Sequence, residues 1–199
     1  MSTAKKELLL EAAYEEIAAR GLAALTLDAL AARAGVSKGI TVYYFNSKEQ
    51  LLDELFVWLT DRILSELDEL AKQVESASSF ITKVVNYFFS SAQKSRALYG
   101  TYLYFAASAS HNQAFRRTKR RFHDRLGQIA RSVIVTAVRS GELPPQDIER
   151  TVVLSQLIIE GMLSRWLTEE DFAVLPLYKD CCLQELYSLA GCRIVCRNW

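Results

Sequence analysis

The chain has 199 residues, half of them hydrophobic, with 8 Gly, 3 Pro and a net charge of +1. That length admits one compact fold or two small ones sharing a helix, and the scarcity of Gly and Pro excludes collagen-like and disordered chains. A charge near zero excludes a generally basic nucleic-acid binder, so any such affinity has to rest on local features.

No apolar stretch reaches the roughly 18 residues of a membrane span, and the first residues lack signal-peptide form, which predicts a cytoplasmic protein with no membrane partner. Cys181, Cys182, Cys192 and Cys196 fall late in the chain without CxxC spacing or a neighbouring His. They read as buried or free thiols, with no metal site and no cofactor.

In chain order, Leu9, Ala13 and Ile17, with Leu10 and Tyr14, recur at helical spacing and predict a first helix over about 5–20 that stops at Gly21. Thr26 is placed to N-cap a second helix over 27–34, with Asp28 in its first turn and Leu25 able to staple onto Leu30. The turn Ala34-Gly35-Val36-Ser37 follows. Gly35 can take a positive φ, Val36 can plug the core beneath the turn and Ser37 can cap a third helix over 38–44. Ser47 and Gln50 have capping-box spacing and open a fourth helix to about Leu70, with Leu51, Leu52, Leu55, Leu59 and Ile63 on its apolar face.

Ser76-Ala77-Ser78-Ser79 reads as a break. Apolar periodicity resumes from Phe80 to Phe89 and again from Leu98 to Ala109, predicting two more helices. Further helices are expected over about 113–139, ending at Ser140-Gly141, over about 146–167 after Leu143-Pro144-Pro145, and over about 175–190. Residues 192–199 continue no pattern. With no alternating run of strand type, the expected fold class is all-α.

A short helix, a Gly turn and a second short helix opening on small and polar residues is the geometry that lays one helix into a DNA major groove. Residues 1–50 carry six basic residues (Lys5, Lys6, Arg20, Arg33, Lys38, Lys48) and six acids (Glu7, Glu11, Glu15, Glu16, Asp28, Glu49), so geometry rather than total charge supports that reading. Ser37 and the first amides of the third helix suit a phosphate, Lys38 adds charge, and Gly39 lets the backbone come close. Thr26 suits a phosphate at the second helix in the same way. Lys48 stands at the first position of the fourth helix, where the dipole disfavours a cation unless a phosphate joins it. Tyr43, Tyr44 and Phe45 are consecutive, so at least one ring has to face outward.

The run Leu27-Asp28-Ala29-Leu30-Ala31-Ala32-Arg33-Ala34-Gly35-Val36-Ser37-Lys38-Gly39, followed by Tyr43-Tyr44-Phe45-Asn46-Ser47-Lys48-Glu49-Gln50-Leu51, resembles the signature of the Tet-repressor (TetR) family over about a quarter of the chain. The resemblance implies an all-helical homodimer on double-stranded DNA, with a three-helix DNA-binding head. A C-terminal domain of about six helices would bind a small-molecule effector and form the dimer interface. The DNA-binding domain would be residues 1–48, helix four (about 48–70) would connect, and residues 49–199 would be the effector-binding and dimerisation domain.

Carried over by position, the DNA-contact roles fall on Thr26, Ser37, Lys38, Gly39, Ile40, Tyr43, Tyr44 and Lys48, with Val36 and Phe45 in the core. Thr41 joins this candidate set. Thr41 and Val42 stand where many members carry Leu and Tyr, so the base-reading face is altered. Gly39-Ile40 and Tyr44-Phe45 are similar to the betaine-synthesis repressor branch.

Trp58, Phe88, Tyr102, Phe105 and Phe122 are candidates for an effector pocket, with core packing as the plain alternative. Leu154, Leu157, Ile158, Gly161, Met162, Leu183 and Leu186 give the last helices more apolar surface than one chain covers, which predicts a dimer interface there. The basic run 116–125 reads as a solvated helix face or a second anionic-ligand surface. His111 and His123 lie far apart with no carboxylate in a metal-binding rhythm. Neither a nucleophile elbow, a phosphate loop nor an evident pair of acids is found, so no enzymatic activity is expected. The competing reading is a helical small-molecule-binding protein or enzyme whose head does not bind DNA.

Overall fold

The computed structural model describes residues 2–169 and 171–192. Cys196 and the rest of the tail from residue 193 lie outside the described residues. Among those described, nine α-helices run in the order α1 (Ser2–Arg20), α2 (Leu27–Ala34), α3 (Lys38–Tyr44), α4 (Lys48–Lys72), α5 (Ala77–Phe88), α6 (Ala92–Ser108), α7 (Gln113–Arg139), α8 (Ile148–Trp166) and α9 (Leu175–Ala190), with short 3-10 turns at Leu22–Ala24 and Phe172–Val174. The all-α expectation therefore holds.

Caps explain most of the boundaries. The hydroxyl oxygen of Thr26 accepts a hydrogen bond from Ala29 N at 3.0 Å and opens α2. Gly35, at φ 64°, ends it in the left-handed conformation, its N–H returning to the carbonyls of Ala31 and Ala32. The Ser47 hydroxyl accepts from Gln50 N at 3.2 Å, while the Gln50 side chain accepts from Asn46 N rather than from Ser47 N. This displaced capping box still satisfies two amides at the start of α4.

Where boundaries differ from the sequence expectation, a cap is again the reason. Ser76 accepts from Ser79 N at 3.1 Å, so the serine-rich stretch opens α5 instead of separating helices. Ser91 accepts from Lys94 N, and α6 begins at Ala92, well before Leu98. Asp147 accepts from Arg150 N and starts α8 at Ile148.

The helices gather into two compact units, one of Met1–Arg62 with Arg96–Arg120 and one of Ile63–Ser95 with Arg121–Trp199. The core of the first contains Leu9, Ala13 and Ile17 from α1, Leu25 and Leu30, Phe45 after α3, and Leu51, Leu55 and Phe56 from α4, all buried. Phe56 stacks on Phe105 at 4.9 Å and meets Phe115 edge-on at 5.6 Å, which joins α4 to α6 and the start of α7.

In the second unit Ala77, Ile134, Ala137, Leu143, Val152 and Ala190 form one apolar cluster. The Glu142 carboxylate accepts from Ala77 N at 2.8 and 3.1 Å, setting a negative charge at the amino end of α5. Gly191 is required twice over, because its φ is 73° and a Cβ there would lie 2.6 Å from Pro144 Cγ. Among the described residues no helix is long and apolar enough to cross a membrane.

Candidate nucleic-acid interface

The three-helix head is held by a charge cluster around one buried carboxylate. Glu16 on α1 is only 2% exposed, yet it accepts from Arg33 Nε of α2 at 2.5 Å and lies 3.0 Å from Arg20 Nη1. Two guanidinium groups thus offset the desolvation of one carboxylate, and the Arg33 bond locks α2 to α1. In the sequence these residues are recognisable only as charges. Their partnership spans 17 positions and has no local signature.

On this base α3 divides into two faces. Thr41 is fully buried, its hydroxyl donating to the carbonyls of Lys38 at 2.8 Å and Leu27 at 3.4 Å, and Phe45 is fully buried behind it. This corrects the placement of Thr41 among DNA-contact candidates: its side chain is spent inside the head, joining α3 to α2. Ile40 and Tyr44 are half-buried, whereas Ser37, Lys38, Gly39, Val42 and Tyr43 are exposed. Val36 is half-buried rather than a full core plug.

Tyr43 is 79% exposed and meets Tyr44 edge-on at 5.1 Å, so the outward ring expected from three consecutive aromatics is Tyr43. Val42, 44% exposed beside it, belongs to the same outward face. It was noted in the sequence only as a departure from a family pattern; its four-residue spacing from Lys38 places it on that face. Gly39 needs no special backbone angle, and a Cβ on it would meet nothing nearer than Ser37 Oγ at 3.9 Å. Nothing within the chain demands a glycine there.

The charged candidates have intrachain partners. Lys38 Nζ is 2.9 Å from Asp28 Oδ1, a solvent-exposed pair worth about 0–1 kcal/mol. Exchanging Asp28 for a phosphate is therefore cheap. Lys48 Nζ donates to the carbonyl of Leu22 at 3.3 Å, so the cation that looked misplaced ties α4 to the turn after α1. An ammonium has three donors, which leaves two for an incoming phosphate. Thr26, already a cap, is exposed. Ser37 sits at the N-cap of α3 without a side-chain capping bond, contrary to the capping role expected of it. Glu49, beside Lys48, has its carboxyl held below the usual range, first by its own backbone N–H and then by the Ser47 hydroxyl.

The aromatic candidates divide between the two units. Tyr102 and Phe105 are buried and ring Phe56 in the first unit. Trp58 packs on Tyr14 and under the Arg62 guanidinium instead. Phe88 and Phe122 are buried in the second unit.

Of the interface candidates, Leu186 is 4% exposed and belongs to the intrachain core, a correction to its place on an outer face. Leu154, Ile158, Met162 and Leu183 are half-buried. Leu157 is 56% exposed and Val153 55%, and with the open Gly161 they form a four-residue-spaced stripe along α8.

In the basic run, Arg116 donates to the carbonyls of Ala109 and Ser110 and so closes the turn before α7. His123 Nδ1 lies 3.2 Å from Gln156 Oε1 and its Nε2 lies 3.8 Å from Glu160, a carboxylate that α8 supplies. No group of three potential metal ligands exists among the described residues.

The family model of the bacterial regulatory proteins of the tetR family matches residues 9–55, and that of the C-terminal part of BetI-type transcriptional repressors matches residues 80–175. The HTH-type transcriptional regulator BetI of Escherichia coli is 30% identical over 169 residues, covering 83% of each chain. YhgD of Bacillus subtilis, described as an uncharacterized HTH-type transcriptional regulator, is 27% identical over 96% of this chain and 98% of its own. Among solved structures, a TetR transcription regulator of Haloarcula marismortui superposes with a TM-score of 0.81 at 19% identity, covering 95% of this chain and 97% of that one. The regulator FadR of Bacillus subtilis, solved in complex with stearoyl-CoA, superposes with a TM-score of 0.69 at 19% identity, covering 91% and 97%.

Proposed function

The chain belongs to the TetR family of transcriptional regulators, and from that premise we propose that it is a ligand-responsive repressor that holds a pseudo-palindromic operator as a homodimer. The observation that carries the reading is the outward face of α3, where Gly39, Val42 and Tyr43 are exposed and a Cβ on Gly39 would meet nothing nearer than Ser37 Oγ at 3.9 Å. An α-helix enters the major groove with such a face, a bare backbone permitting close approach and apolar side chains meeting thymine methyl groups. Ser37, Lys38, Ile40, Tyr44, Thr26 and Lys48 surround it, and we assign the phosphate contacts to Ser37, Lys38, Thr26 and Lys48.

Two heads on one operator require a dimer, and the stripe Val153, Leu157 and Gly161, with Leu154, Ile158, Met162 and Leu183 at its margins, supports α8 and α9 as the shared surface. Gly161 has nothing within 4 Å of a notional Cβ, so a partner helix has room to approach it closely.

The effector role is supported in the second unit by Phe88 and Phe122, together with two buried polar atoms without hydrogen-bond partners, Trp166 Nε1 and Ser95 Oγ. Buried donors left unsatisfied in a native fold invite a ligand or water. A filled pocket then shifts the population toward a spacing of the two heads that no longer fits the operator.

Fluorescence anisotropy with DNA from the gene's own upstream region, against a scrambled duplex, tests the proposal. The expected result is sequence-dependent, salt-sensitive binding with two chains per site. Equal affinity for both duplexes would leave the competing reading, a small-molecule protein with a structural head. A thermal-shift screen, read against release of DNA, then identifies the effector.

A further inference from the structure

Within the first unit a cleft of about 520 Å³ lies between α1, α4 and the start of α7. That volume is in the range of small-molecule sites. Leu10, Val57 and Trp58 provide apolar lining, and the side chains of Lys6, Asp53 and Glu54 are on the same wall. Lys6 Nζ is 2.5 Å from Glu54 Oε2, so those two charges cancel.

Asp53 is different. Its Oδ1 is fully buried and, among the described residues, accepts no hydrogen bond, and no ion pair engages the residue. Arg117, also at the cleft, is exposed and does not reach it. A carboxylate oxygen sealed from water has lost its hydration without a replacement donor, an arrangement native proteins avoid unless something else occupies the site.

We infer that this cleft is a second small-molecule site that takes an organic cation with N–H donors, such as a primary ammonium, amidinium or guanidinium, carrying a flat or apolar body. Turning of the half-buried Asp53 side chain brings Oδ1 out to the N–H group, and the body lies against Trp58, Val57 and Leu10. The missing interaction at Oδ1 is a hydrogen bond, which selects cations bearing N–H over fully alkylated ones. Because Leu10 and Lys6 are on α1 while Ala114 and Thr118 are on α7, a bound cation bridges the first helix of the head to α7. This site uses none of the DNA-facing residues and does not depend on the repressor reading.

The test is a titration of the full-length protein, without DNA, with phenethylammonium and with its neutral isostere 2-phenylethanol. The readout is the Trp58 indole N–H resonance, assigned with Trp58→Phe. The cation should shift that resonance saturably at millimolar concentration and the alcohol should not. Asp53→Asn, checked for folding by its circular dichroism, should bind the cation at least tenfold more weakly. An unmoved Trp58 resonance, an equal response to the alcohol, or undiminished binding by the folded Asp53→Asn variant would each overturn the inference.

Discussion

Gly39→Ala separates folding from DNA binding. Gly39 lies inside α3, and the added methyl group would meet only Ser37 Oγ at 3.9 Å, an ordinary van der Waals separation. Replacing a helical glycine by alanine removes unfolded-chain entropy, worth about 0.5–1 kcal/mol in favour of the folded state. Near the end of a helix the lower figure applies, and for a chain of this size it corresponds to a rise in Tm of about 1–2 °C. On DNA the sign reverses. A backbone that packs against the duplex has no room for a methyl group, and a loss of about 1.4 kcal/mol or more in binding corresponds to at least a tenfold weaker Kd. Urea denaturation followed by fluorescence measures the first effect, and anisotropy titration on the operator measures the second. A fall in stability would refute the claim that nothing in the chain demands this glycine. Unchanged operator affinity in a folded variant would refute the close approach to DNA.

Arg33→Met removes the main partner of the buried Glu16 carboxylate and leaves only Arg20, so the urea midpoint should fall by the equivalent of about 2–3 kcal/mol; Arg33 is itself partly exposed, which keeps the loss below that of a fully buried pair. Lys48→Met should lower the log–log salt slope of DNA binding by about one and cost about 1 kcal/mol of stability through the lost bond to Leu22; an unchanged slope removes Lys48 from the phosphate contacts. Leu157→Arg places a charge in the middle of the exposed α8 stripe, and analytical ultracentrifugation should find dimers of the parent chain and monomers of the variant. Burial pushes the Cys182 thiol up to about 12, so it stays protonated at neutral pH, and alkylation mapped by mass spectrometry should find it modified only after denaturation.

What could be read in advance divides along the range of the interactions concerned. The limits of α2 were legible because Thr26 and Gly35 act on amides and carbonyls within a few residues. The displaced capping box at Gln50 was half legible: its spacing is local, but which amide the side chain returns to depends on how the chain enters α4. Thr41 and Val42 are neighbours of similar shape and β-branching, and only the packing of α3 against α2 makes one a buried donor and the other an exposed surface. Leu186 has the apolar character of an interface residue, and the contacts of α9 turn it inward.

By itself, then, the sequence determined an all-helical chain with a short-helix, Gly-turn, short-helix motif and the caps that delimit it, since these follow from spacing and local hydrogen bonding. Tertiary structure alone decided the partners of the charges: Glu16 with Arg33 across 17 positions, Lys48 with Leu22 across 26, and Glu142 with Ala77 across 65. Coulombic and hydrogen-bond energies depend on distance in space, so a carboxylate such as Asp53 and one such as Glu16 look alike in sequence. Folding gives Glu16 two guanidinium groups and, among the described residues, gives Asp53 none, although each keeps a buried oxygen without a hydrogen bond.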